Sequence, residues 1–310
     1  MTAVGALSAP VGGLFRETII TRAAILAALA LGASAGFARH APLQAGTLFS
    51  PRSDPYRATT SRAARQSAIR SIPYEKLDTE AKTRVARVLS TAAVFRRLPI
   101  RVIQCDPELY LFLVRHPDVV VNIWEVLGVS QLTMRQTGPD TFQMADGQGM
   151  VAVLKFLYRS HDTHLIYIEG RYDGSLSSRP VRCRGLMVLK TGYVREPDGR
   201  YYITSRLDTF AHITPGGVEF LTNTFQPLVG KVADMNFVQT AGFVGSLSRT
   251  AEVNHRGVER LAARLHQVRP DVRQEFAELA GRVAQKAEGL SSLRLSDRST
   301  VATRSAGASE

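Results

Sequence analysis

Apolar and polar positions change rhythm along this chain, and each change marks an element. From Pro73 to Phe95, Val85, Val88, Leu89, Ala92 and Phe95 recur at three- and four-residue steps behind Asp78, which predicts a capped helix. Pro99 to Cys105 is a short strand, with Ile100 and Val102 alternating with Arg101 and Ile103. It ends at Asp106-Pro107-Glu108, where an N-cap, a first-position proline and a first-turn acid open a helix. Leu109, Phe112 and Leu113 form its stripe, Pro117-Asp118 restarts it, and Ile123 and Trp124 carry it towards Gly128.

The period then falls to two. Leu132, Met134 and Gln136 alternate with Thr133, Arg135 and Thr137, and Phe142 and Met144 return after Gly138-Pro139-Asp140. Val151 to Arg159 and Leu165 to Asp173 flank a hairpin tip at Ser160-His161-Asp162-Thr163. Ile166, Ile168, Gly170 and Tyr172 share one face, and Glu169, Arg171 and Asp173 the other. Cys183, Gly185, Met187 and Leu189 oppose Arg182, Arg184 and Lys190. After the turn Glu196-Pro197-Asp198-Gly199, Tyr201, Ile203, Ser205 and Leu207 oppose Tyr202, Thr204, Arg206 and Asp208. One apolar and one charged face predict an antiparallel sheet covered on one side only. The cover is the segment from Phe220 to Leu247, which carries Phe225, Leu228, Val232, Phe237 and Val244. Within it Gly242 and Gly245 allow close approach to the sheet.

The remainder bounds the domain. Arg16 and Arg22 precede an uncharged run from Ala23 to Ala38, about 24 Å as a helix and short of the roughly 30 Å of a bilayer core. Small residues at Ala33-Ser34-Ala35 and Gly36-Phe37-Ala38 fit a cleavage site, so 1–38 read as a signal peptide and the mature chain as secreted or periplasmic; an uncleaved anchor is the alternative. Residues 39–72 are rich in arginine, serine and alanine and read as a disordered basic linker, suited to an anionic membrane surface. Without interleaved aromatics it does not favour nucleic acid. The flanking helix takes 73–97, the central domain 98–252, an amphipathic helical tail 253–289, broken at Pro270, and a disordered tail 290–310. The net charge of +12 is concentrated in such appendages, and only two cysteines, Cys105 and Cys183, are present, which excludes a disulfide-dense scaffold. They pair or remain buried thiols.

The order strand, two helices, about six antiparallel strands, long apolar helix resembles the helix-grip fold of the START-like superfamily of polyketide cyclases and lipid-transfer domains. The residues that carry the likeness are Arg101 to Tyr110, Leu113, His116-Pro117-Asp118, Trp124 and Val129. The fold class expected is α+β, a curved antiparallel sheet wrapped around a long C-terminal helix, with extra flanking helices and disordered termini. The resemblance implies an apolar cavity between sheet and helix that holds a hydrophobic small molecule or lipid. Its expected lining is Met134, Phe142, Ile168, Met187, Leu189, Ile203, Phe225, Val232 and Phe237, with Glu169, Arg171 and Arg184 as polar candidates should their face turn inward.

Catalytic signatures are missing: there is no Walker loop, GxGxxG fingerprint or HExxH, and no GxSxG elbow in the central domain 98–252. His161-Asp162-Thr163-His164 offers too few ligands for a structural zinc site, so neither metal nor cofactor is expected. His212 reads as a structural histidine. Three functions follow in order: an exported carrier of an apolar ligand, a non-catalytic envelope interaction or scaffold protein with a solid core, and a cyclase or hydrolase in the same fold.

Overall fold

A single serine turns part of the basic linker into a helix. Ser61 Oγ accepts from the Ala64 amide at 3.2 Å and caps α1, Arg62–Arg70. Ala64, Ala68 and Ile72 bury themselves at four-residue spacing. The structure, a computed structural model, describes residues 54–174, 180–213 and 226–306. The expected signal peptide, the linker up to residue 53 and Phe225 lie outside these residues. The rest of the expected linker is ordered against the sheet, because its alanines bury a helix face that bulk composition does not reveal.

The expected flanking helix is shorter than its pattern. A 3-10 turn at Tyr74–Lys76 leads to α2, Thr79–Thr91, capped by Asp78 Oδ1 on the Ala81 amide at 2.7 Å. Val94–Arg97 then forms strand β1 instead of a last helical turn. The reason is side-chain demand on two faces. Phe95 packs on Phe210 in a tilted pair with ring centroids 5.1 Å apart, and Arg97 forks onto Asp208, Nε to Oδ1 at 2.6 Å and Nη2 to Oδ2 at 3.0 Å.

The elements that follow are β2, Arg101–Gln104; α3, Pro107–Arg115; α4, Pro117–Val126; β3, Thr133–Gly138; β4, Thr141–Ala145; β5, Met150–Arg159; β6, Thr163–Tyr172; β7, Val181–Arg195; and β8, Tyr201–Ile213. Asp106 caps α3 as its sequence predicts, accepting from the Glu108 and Leu109 amides at 2.9 and 3.1 Å. In β2 it is Ile103 that enters the core, while Val102 remains 50% exposed. The eight strands form one antiparallel sheet in the order β1-β8-β7-β6-β5-β4-β3, with β2 also on β8. The turn between β7 and β8 closes through the Glu196 amide on the Arg200 carbonyl at 2.9 Å, with Gly199 at φ +84°. Two long helices end the chain: α5, Gln226–Ala263, kinked at Asn254, and α6, Pro270–Ala306. The backbone of α6 stays helical beyond residue 290, where disorder was expected, since neither proline nor glycine occurs from 291 to 306 to stop it. The architecture is thus α+β, an open curved antiparallel sheet with C-terminal helices, consistent with a helix-grip fold.

The sheet is covered on both faces, which overturns the one-sided expectation. On the outer face Leu165, Tyr167, Leu186, Val188 and Phe210 pack under α1 and α2, against Ala68, Leu77, Val85 and Val88. Asp208, fully buried, anchors this layer through Arg97, whose Nη2 also reaches the Ala64 carbonyl at 3.4 Å. On the inner face Ile103 and Ile203 meet Ala241, Val244, Leu247 and Ala251 of α5, together with α3 and α6. Gly245 is needed here: a Cβ would stand 3.1 Å from Ile103 Cγ2. Gly242 faces open space, so only one of the two glycines serves close approach.

Candidate functional site

Strand register decides which side chains meet on the inner face. Phe142 pairs with Leu154, Leu154 with Ile168, Ile166 with Met187, and Met187 with Thr209. Alternation therefore aims this row at the side where α5 lies. Met134, Phe142, Ile168 and Met187 of the expected lining belong to one buried cluster. That cluster also takes in Met144, Met150, Leu154, Phe156 and Ile166. Leu189 and Val232 are buried, Phe237 is half-buried, and Ile203 sits in the neighbouring cluster under the second half of α5. Four of the chain's six methionines, Met134, Met144, Met150 and Met187, share this one surface. Trp124 of α4, the chain's single tryptophan, touches both clusters and stands edge-on to Phe243 of α5 at 5.8 Å.

The helix is held to the sheet by charge as well as packing. Arg96 of β1 forks onto Asp234, with Nε to Oδ1 at 2.7 Å. Its guanidinium lies against Gly230, so the first half of α5 is pinned to the sheet edge. At the other end Tyr110 of α3 reaches the inner face. Its hydroxyl donates to Ser205 Oγ at 3.2 Å and lies 3.3 Å from Thr191 Oγ1, a buried network that is complete.

Other polar groups on this side are not satisfied. His164 is fully buried, and neither ring nitrogen has a partner among the described residues. Trp124 Nε1 and Gln239 Oε1 are likewise buried and unpartnered. Each such group costs about 1–3 kcal/mol relative to a bonded one. Burial, reinforced by Arg115 and Arg159, pushes the His164 imidazole down to about 4, so it is neutral at pH 7. The sequence pattern places His164 beside a hairpin tip, in a cluster with His161 and Asp162. The tip is closed at Ser160 to Thr163, the Ser160 amide donating to the Thr163 carbonyl at 2.8 Å, and His164 is an inward strand residue. The signal was available: a polar residue in phase with Ile166 and Ile168.

The polar candidates fall elsewhere. Glu169 and Arg184 form a 2.9 Å ion pair on the outer face, with Tyr167 donating to Glu169 at 3.0 Å. Arg171 is exposed, 3.9 Å from Asp173. None of the three reaches the inner face, because their register is opposite to that of Ile168. No group of metal ligands forms among the described residues. His212 Nδ1 lies 2.9 Å from the Thr91 carbonyl, a structural contact. Cys105 and Cys183 are both buried free thiols. No described helix is long and apolar enough to cross a membrane. A surface groove of about 550 Å³ lies between β2, the β7–β8 turn, α5 and α6. Two ion pairs line it, Lys286 to Asp106 at 3.1 Å and Arg249 to Glu252 at 3.8 Å.

Neither a family model nor a curated protein matches the sequence. Among solved structures, the chain is similar over 49% of its length to a conserved protein from Geobacillus kaustophilus, at 10% identity, 93% coverage of that chain and a TM-score of 0.36. It is similar over 49% to Ara h 8.0201, at 14% identity, 99% coverage of that chain and a TM-score of 0.31. Truncated norcoclaurine synthase from Thalictrum flavum matches 49% of the chain at 12% identity, with 94% of that protein covered and a TM-score of 0.31. None of these likenesses assigns a function to this chain.

Proposed function

We propose that this protein binds a hydrophobic small molecule or lipid between the inner face of its sheet and helix α5, and that it does so as an exported protein. The observation that carries the binding is the methionine-rich surface of Met134, Met144, Met150 and Met187. Unbranched thioether side chains repack around irregular apolar shapes at little cost, which a core built only for stability does not require. An apolar molecule that loses about 300 Å² of surface there gains roughly 7 kcal/mol before the costs of association. Export rests on the basic and then uncharged pattern of residues 1–38.

Trp124 provides the assay. Purified mature protein is extracted with organic solvent for mass spectrometry, and its tryptophan emission is followed while lipophilic probes are added. A co-purifying lipophile, or saturable uptake that shifts Trp124 emission, is the expected result. An empty extract together with no uptake of any probe overturns the carrier and leaves a solid-core interaction module.

A further inference from the structure

His164 stands in an apolar row with nothing to bond. Its strand neighbours in register are Arg159 on β5 and Leu189 on β7, and its ring lies edge-on to Phe156 at 6.1 Å. Leu165 beside it packs into the outer layer, so alternation aims His164 inward, diagonal to Met187. An apolar residue would fill this position without stranding two polar nitrogens. Resting on the binding reading above, we propose that the inner face selects an apolar molecule bearing a hydrogen-bond-accepting oxygen, a carbonyl or a carboxylate, and that His164 receives that oxygen.

Three features converge on an acceptor. A neutral imidazole carries one N–H that needs an oxygen, and burial keeps this ring neutral. Arg115 and Arg159 bring positive charge to bear on the ring; Arg159 is engaged by Asp140, while Arg115 has no ion pair among the described residues. Trp124 Nε1, a second unpartnered buried donor, borders the same cluster. The ring is fully covered in this structure, so the oxygen reaches it by displacing a neighbour, and the flexible Met187 is the side chain suited to give way.

The test uses three probes with one body: 2-acetylnaphthalene, 2-naphthoate and 2-ethylnaphthalene, which carry a carbonyl, a carboxylate and neither. Affinities are measured by equilibrium dialysis against the full mature chain, His164→Leu and His164→Gln. The expected result is at least a tenfold preference for one oxygen-bearing probe over 2-ethylnaphthalene. That preference should disappear in His164→Leu and survive in part in His164→Gln, which keeps a donor. Whichever oxygen probe is preferred identifies the head group. Equal binding of all three, or a preference unchanged in His164→Leu, overturns the role of His164 and leaves the carrier intact. Should His164→Leu fail to fold, a preference undiminished in His164→Gln, whose donor stands elsewhere, overturns it as well. Binding of none overturns both.

Discussion

His164 also makes a prediction that needs no ligand. Its folded-state pKa of about 4 lies about 2.5 pH units below the unfolded value of 6.5. The shift has burial as its main cause, then Arg115 and Arg159, opposed by Asp162. Because the folded pKa is depressed, the unfolded chain takes up the proton first as the solution is acidified. The stability tied to the neutral ring is therefore complete above pH 6.5 and is lost between 6.5 and about 4, at about 1.4 kcal/mol per pH unit. His116, also pushed down to about 4 by burial, adds in the same direction. Asp118, buried and raised to about 6, opposes both, since its folded form binds the proton more tightly than the unfolded chain. Replacing His164 with leucine removes one of the two histidine contributions and leaves the others. Urea unfolding followed by Trp124 emission at pH 7.5 and pH 5 should show the difference in unfolding free energy between variant and parent moving by about 2 kcal/mol in the variant's favour at pH 5. Parallel stability curves for the two proteins would refute the burial argument, whatever their offset at neutral pH.

Other consequences are separable. Asp208→Ala strands Arg97 under α1 and should cost about 3 kcal/mol of unfolding free energy, with new proteolytic cleavage in residues 54–72; unchanged stability would mean that the outer layer is not anchored there. Gly242→Ala should stabilise by about 0.5–1 kcal/mol, because its Cβ meets nothing, whereas Gly245→Leu should cost about 1–3 kcal/mol against Ile103; thermal melts of the pair decide. Burial pushes the Cys105 and Cys183 thiols up to about 12 and about 11, so a chromogenic thiol reagent should find both unreactive in the native protein and both reactive in denaturant.

What could be read from the sequence depended on how many competing patterns a face carried. The inner face was legible because its apolar residues recur every second position: Phe142 with Met144, Ile166 with Ile168, Cys183 with Met187. The cap at Asp106 and the turn at Gly199 were legible because each depends on a few adjacent residues. The outer face was misread because charged residues dominate one end of each strand and apolar residues the other. Glu169 and Arg184 mark it as solvated, yet Leu165, Tyr167, Leu186, Val188 and Phe210 lie in phase with them and are buried. A strand's two ends can face different surroundings, so a face cannot be assigned from its average polarity.

The missed cover has the same physical root. Helix α1 buries alanines at Ala64 and Ala68, which add almost nothing to a hydropathy sum but let a helix approach the sheet closely enough for Arg97 to reach the Ala64 carbonyl. A large apolar residue at either position would hold the helix away and break the contact with Asp208. The arginines of that helix, read alone as a solvated tether, are the polar side of an amphipathic helix whose apolar side is small. This closed outer layer sharpens the functional argument. With both faces covered and α5 pinned through Arg96 and Asp234, the sheet needs no further polar group for stability. The unpaired nitrogens of His164 therefore oppose folding, and their presence on the inner face, diagonal to Met187, is better explained by what that face receives than by what it packs.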